Sequence, residues 1–113
     1  MKQIKSQTIQ IKLRNKFIKS GVKMIGPETI FFSIDTKIGR NVVINPYVVI
    51  GKKVKIGNNV TINSFSHLED CKIENKVEIG PYARIRPGTI LKDGSKTVSY
   101  THLRTHETDS YLV

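Results

Sequence analysis

The sequence predicts an all-β fold, a parallel β-helix of hexapeptide repeats behind a short N-terminal α-helix. Three observations carry that prediction. An apolar anchor recurs every six residues at Ile38, Ile44, Ile50, Ile56, Ile62 and Leu68, and after one skipped residue resumes at Ile73, Ile79, Ile85 and Leu91. Four residues past most anchors stands a small or β-branched side chain: Val42, Val48, Val54, Val60, Ser66, Val77, Ala83 and Thr89. The residue after the anchor is Gly39, Gly51, Gly57 or Gly80 at four repeats and Asn45 or Asn63 at two more.

Each observation has a physical reading. The small residue lies two before the next anchor, so both side chains point to one face of a strand, and each repeat is a short strand with one buried face. Gly and Asn accept positive φ at least cost, so a corner is expected after each anchor, with Pro46, Pro81 and Pro87 next to it where a missing N–H does least harm. Three corners close a triangle, a coil takes eighteen residues, and stacked coils align their inner side chains. A sandwich of short strands would instead place turn signals every 8 to 12 residues. The spacing leaves handedness open, since parallel crossovers are usually right-handed.

The elements follow in order. Ile9, Leu13 and Phe17 recur at helical spacing among Lys and Arg, predicting a short amphipathic helix that ends near Ser20 and Gly21. Residues 22–37, with Gly26-Pro27 and the cluster Ile30-Phe31-Phe32 off the strict beat, are expected to form an irregular first coil that caps the prism. From Ile38 to Lys96 the repeats supply a little over three coils, with Ile38, Ile44, Ile50, Ile56, Ile62, Ile73, Ile79 and Ile85 pointing inward.

Composition narrows function. At 113 residues the chain has room for one small domain. It carries no apolar run of transmembrane length and no secretory leader, so a cytoplasmic location and no membrane partner are expected. Cys71 is the single cysteine and is read as a reduced thiol in a small apolar slot. The net charge of +10 is concentrated in residues 1–24, which hold seven Lys or Arg and no acid. Phe17 is the only ring in that segment, so the basic stretch reads as a solvated helix face and no nucleic-acid partner is expected.

Two stretches carry a resemblance. The run Gly21-Val22-Lys23-Met24-Ile25-Gly26-Pro27 and the block Ile79-Gly80-Pro81-Tyr82-Ala83-Arg84-Ile85-Arg86-Pro87-Gly88 resemble the bacterial bifunctional GlmU family, N-acetylglucosamine-1-phosphate uridyltransferases that are also glucosamine-1-phosphate acetyltransferases. The resemblance covers about residues 8–96 and implies that the β-helix is left-handed. It also implies a division into a linker helix at residues 1–21 and a truncated acetyltransferase arm at residues 22–96.

In the family, the arm trimerises and acetylates a sugar phosphate from acetyl-CoA. A separate magnesium-dependent domain then forms UDP-N-acetylglucosamine for peptidoglycan and lipopolysaccharide. The resemblance maps a sugar-phosphate ligand onto Arg86, whose guanidinium stays charged and can grip a phosphate through two parallel hydrogen bonds. Arg86 also departs from the Gly or Asn expected at its corner, although an exposed arginine tolerated on a turn explains that equally well. Arg84 reads as a solvated strand residue.

The family's general-base histidine is expected beyond Lys96, so no catalytic residue is assigned. His67 falls at an outward strand position and is read as a surface histidine. The expectation is an inactive fragment that binds no cofactor or metal of its own. A non-catalytic hexapeptide scaffold and a fragment of a different sugar acyltransferase remain as alternatives.

Residues 97–113 are expected to be a non-native tail that packs poorly. A transposase-type sequencing adapter, translated, gives Val98 through Arg104 and, one base change away, Thr105-His106-Glu107-Thr108. His102 and His106 imitate paired helical metal ligands, but without a third ligand they are assigned no metal.

Overall fold

The computed structural model describes residues 2–97, with side chains from Gln7 onward. It is a left-handed parallel β-helix closed at its N-terminal end by one α-helix. Helix α1 spans Lys2–Lys19, and the chain leaves it through Gly21 at φ 104°. Leu13 and Phe17 are buried as the helical spacing predicts. Ile9 is not: it is 37% exposed.

Four coils follow. The first holds β1 (Val22–Met24), a short 3₁₀ turn (Pro27–Thr29), β2 (Ile30–Phe31) and β3 (Lys37–Ile38). The second holds β4 (Val42–Ile44), β5 (Val48–Ile50) and β6 (Val54–Ile56). The third holds β7 (Thr61–Ile62), β8 (Ser66–Leu68) and β9 (Cys71–Ile73), and the fourth β10 (Glu78–Ile79), β11 (Arg84–Ile85) and β12 (Ile90–Leu91). Strand β13 (Lys96–Thr97) opens a further turn, with Thr97 buried beside Ile79 at the inward position six residues past Leu91. The expectation of a poorly packed tail otherwise lies outside the described residues.

These strands form three parallel sheets, one per face. Face A is ordered β1-β4-β7-β10-β13, face B β11-β8-β5-β2 and face C β12-β9-β6-β3. Anchors stack on anchors: Ile44 pairs with Ile62 and Ile62 with Ile79, while Ile50 pairs with Leu68 and Leu68 with Ile85. Of the predicted inward isoleucines, all but Ile38 are buried, and Ile38 is partly buried against the same core. The skipped residue shortens the corner between Leu68 and Cys71, so that Cys71 falls beside Val54 and Ile73 beside Ile56. The inner stack continues unbroken.

The corners are where the sequence prediction places them, and Gly80 is left-handed at φ 80° as expected, but at the other repeats the left-handed residue is a different one. Positive φ falls three residues after the anchor, at Asn41, Tyr47, Lys53, Asn59, Phe65, Lys76 and Tyr82, and one residue earlier, at Asp70, in the shortened corner. Gly39, Gly51 and Gly57 have ordinary φ values. Glycine is needed there for room. A Cβ on Gly39 would collide with Asn58 Oδ1 and lie 2.8 Å from the Gly57 carbonyl oxygen.

That asparagine oxygen has work to do. Asn58 Oδ1 accepts the Arg40 N–H (2.8 Å), Asn75 Oδ1 accepts the Asn58 N–H (2.8 Å) and Asp93 Oδ1 accepts the Asn75 N–H (2.8 Å). Each coil thus satisfies a corner N–H of the coil before it, a group otherwise left without a strand partner.

The first coil presents strand edges, and α1 covers one of them. Gln10 Nε2 donates to the Phe32 carbonyl (2.8 Å) while the Phe32 N–H donates to Gln10 Oε1 (2.8 Å), so one side-chain amide imitates the missing neighbouring strand. Arg14 Nε donates to the Ile30 carbonyl (2.9 Å), and the Phe17 ring packs on Phe32 with centroids 4.8 Å apart. An uncovered edge templates pairing with another chain. The helix is therefore an end cap as well as a connection.

Candidate functional site

Arg86 follows the anchor Ile85 and opens the corner that leads from face B to face C. Its carbonyl accepts the Thr89 N–H (3.2 Å), and Gly88 at φ 87° closes the turn. The side chain is exposed and lines a shallow cleft of about 130 Å³ together with Pro87, Ile85, Arg84, His67 and Glu69. Arg84 is the outward residue of β11 and pairs in register with His67 of β8. The lining thus includes two guanidiniums and an imidazole, which suits an anion. Glu69 lies in the same lining and sets a limit on the excess positive charge.

The corner argument for Arg86 loses its force in the structure. Glu69, Glu74 and Lys92 also follow anchors, so a charged residue at this position is ordinary. Gly is required where a neighbouring coil fills the space a Cβ would need, as at Gly39, Gly57 and Gly80, and at Gly80 also by a positive φ.

Cys71 is free and buried on the inner face, as the apolar-slot reading expects. Burial raises its thiol pKa from 9.0 to about 11, opposed in part by a backbone hydrogen bond. The sign follows from proton counts: between these values the folded chain keeps a proton that the unfolded chain has released, so stability falls as pH rises. The denaturation midpoint of the wild type is expected to fall relative to that of Cys71→Ala from pH 9.0 to about 11. Parallel curves across that window would contradict a buried thiol.

Among the described residues no group of three or more His, Cys, Asp or Glu side chains is placed to hold a metal ion, so the magnesium implied by the resemblance finds no donor set there. His102 and His106 lie outside the described residues. No described helix is long and apolar enough to cross a membrane.

One feature of the surface escaped the sequence reading. Tyr47, Phe65 and Tyr82 hold the left-handed positions of three successive corners between faces A and B. Their rings stack with centroids 5.2 and 5.0 Å apart and planes within 8° and 5° of parallel. A signal was available in the aromatic residue three past Ile44, Ile62 and Ile79, masked by attention to the glycines.

Comparison with known proteins gives the geometry a family. Residues 35–69 match the model for the bacterial transferase hexapeptide (six repeats). A bifunctional protein GlmU of Zymomonas mobilis is 45% identical over 95 residues, 84% of this chain and 21% of that protein. The GlmU of Azorhizobium caulinodans is 42% identical over 96 residues, 85% of this chain and 21% of its own length. That of the Wolbachia pipientis strain wMel is 45% identical over 94 residues, covering 83% and 22%. The chain spans about a fifth of the length of these relatives. Over that span, with its helix cap and eighteen-residue coils, it belongs to the family of the bifunctional GlmU proteins.

Proposed function

We propose that this chain is the linker helix and first coils of a GlmU-type acetyltransferase arm, part of an enzyme that acetylates glucosamine-1-phosphate from acetyl-CoA and makes UDP-N-acetylglucosamine for the cell wall. On this reading residues 1–21 are the linker helix, 22–96 the arm and 97–113 a non-native tail, in a cytoplasmic protein that works as a homotrimer. The observation that carries the reading is the extent of the similarity to proteins named bifunctional GlmU, 84% of this chain in one case. Arg86 supplies one corner of the sugar-phosphate pocket, gripping the phosphate, while the remaining groups come from elsewhere. A purely structural scaffold is disfavoured because the exposed Arg86 cleft contributes nothing to the packed core.

An NMR titration tests the assignment of Arg86. Adding glucosamine-1-phosphate is expected to shift the amide resonances of Arg86, Gly88 and Thr89, and unphosphorylated glucosamine is expected to leave them in place. Arg86→Lys should weaken the response, because an ammonium cannot make the two parallel bonds. Equal shifts with both sugars, or shifts confined to other coils, would contradict a phosphate contact at this corner.

A further inference from the structure

Outward residues on faces A and B change character from coil to coil. Face A runs Lys23, Val43, Thr61, Glu78 and Lys96, and face B runs Phe31, Val49, His67 and Arg84. Face C does not: Lys37 stands in register with Lys55 and Lys55 with Lys72, all three exposed. Neighbouring strands of a sheet are about 4.8 Å apart. Like charges directly opposite one another across strands are destabilising, so the row works against the fold that carries it.

The surroundings do not cancel that charge. None of the three lysines makes an ion pair among the described residues, where the pair present joins Lys96 to Glu78. On one side the row borders a cleft of about 530 Å³ in which Lys53 adds a fourth ammonium and Asp35 and Asp70 are the acids. On the other side Lys55 and Lys72 border a cleft of about 370 Å³ with Glu74 and Asp93. Most of these carboxylates are turned to backbone groups. Asp35 Oδ2 accepts the Lys53 N–H (3.1 Å), Asp93 Oδ1 the Asn75 N–H (2.8 Å) and Glu74 Oε1 the Asp93 N–H (3.2 Å). What remains is a basic line one residue wide, running along the prism axis for about 10 Å and edged by acid on both sides.

We propose that face C binds an inorganic polyphosphate chain laid along the prism axis, with Lys37, Lys55 and Lys72 as successive contacts. Such a site lies outside the function proposed above and stands without it. A narrow, linear anion fits between the flanking carboxylates, whereas an anionic membrane or a nucleic-acid duplex would press its charge onto them as well. Single-stranded nucleic acid gains much of its hold from bases stacked on aromatic rings, and neither cleft has a ring in its lining. Lysine suits a phosphate chain. Its ammonium is a point charge on a flexible stem, so it follows the chain without the fixed fork geometry of arginine. Binding also relieves the repulsion within the row.

Isothermal titration calorimetry of the full chain with inorganic polyphosphate over a range of salt concentrations tests the proposal. The wild type is expected to bind, with affinity falling as salt rises, because neutralised charges release their counterions. Removing the row in Lys37→Gln/Lys55→Gln/Lys72→Gln should flatten the slope of log affinity against log salt by about one for each lysine removed. Removing as many charges elsewhere, in Lys12→Gln/Lys19→Gln/Lys23→Gln, should leave affinity and slope nearly unchanged. A second readout separates binding from a structural role: without ligand, Lys55→Gln is expected to raise the urea midpoint, because Lys55 repels both of its neighbours, while it weakens polyphosphate binding. Equal losses in the two triple variants would reduce the effect to net charge and overturn the proposal. Absence of binding by the wild type, or tighter binding of a single-stranded oligonucleotide of equal charge, would overturn it too.

Discussion

Replacing Ile62 by alanine is expected to destabilise the fold by about 2 to 5 kcal/mol, toward the upper end of that range. Ile62 is fully buried and stands between Ile44 and Ile79 in the face A stack. The cavity cannot close by moving the backbone, because the strand is held from both sides: the Asn45 N–H donates to the Ile62 carbonyl (2.9 Å) and the Asn63 N–H to the Ile79 carbonyl (2.8 Å). Neighbouring side chains would therefore line an empty space and lose their contacts outright. Equilibrium urea denaturation followed by circular dichroism measures the effect. Ile90→Ala provides the contrast, since Ile90 points outward from β12 and is 54% exposed, so its loss should change stability by less than about 0.5 kcal/mol. Equal effects at the two positions would refute the inward assignment.

The purified chain is expected to transfer no acetyl group to glucosamine-1-phosphate. The attacking amine must lose a proton, and a positioned base supplies about 100-fold to 10,000-fold of the rate. Among the described residues the one imidazole is His67, at an outward position of β8 beside Arg84, with an anion-suited cleft around it and no paired carboxylate to orient it as a base. An assay with acetyl-CoA that follows release of free thiol checks the prediction. Turnover above the protein-free blank that is lost in His67→Gln would show that this histidine acts after all.

Much of the fold was legible because the buried face repeats a single instruction. The beat from Ile38 to Leu91 predicted the strands, the eighteen-residue coil and the skipped residue, and the inner stack of Ile44, Ile62 and Ile79 matches it. The apolar cluster of the first coil was legible as a cap but not in detail: Ile30 and Phe32 turn inward while Phe31 remains outside over Arg14, an alternation the off-beat spacing hid. The corners were read through the tolerance of Gly and Asn for positive φ. Conformational freedom and empty space both select glycine, and at Gly39 and Gly57 the need was space for the oxygens of Asn58 and Asn75.

Long-range partners were beyond reach of the pattern. Nothing local marks Gln10 as the group that completes the edge at Phe32, twenty-two residues away. Of the candidate site, Arg86 was found by resemblance, whereas its company of Arg84 and His67 depends on the register between β8 and β11, which shifts with the shortened corner. The aromatic ladder was missed because three separate exposed rings become one feature only when coils are stacked.

The register of stacked parallel coils is the claim on which all of this depends, and through-hydrogen-bond couplings in solution NMR measure it directly. Couplings are expected from the Asn45 N–H to the Ile62 carbonyl, from the Asn63 N–H to the Ile79 carbonyl and from the Gly57 N–H to the Ile73 carbonyl, each rung advancing in the same direction along the chain. Couplings whose partners run in opposite directions, as in hairpins of short antiparallel strands, would contradict the coil and with it the site built on it.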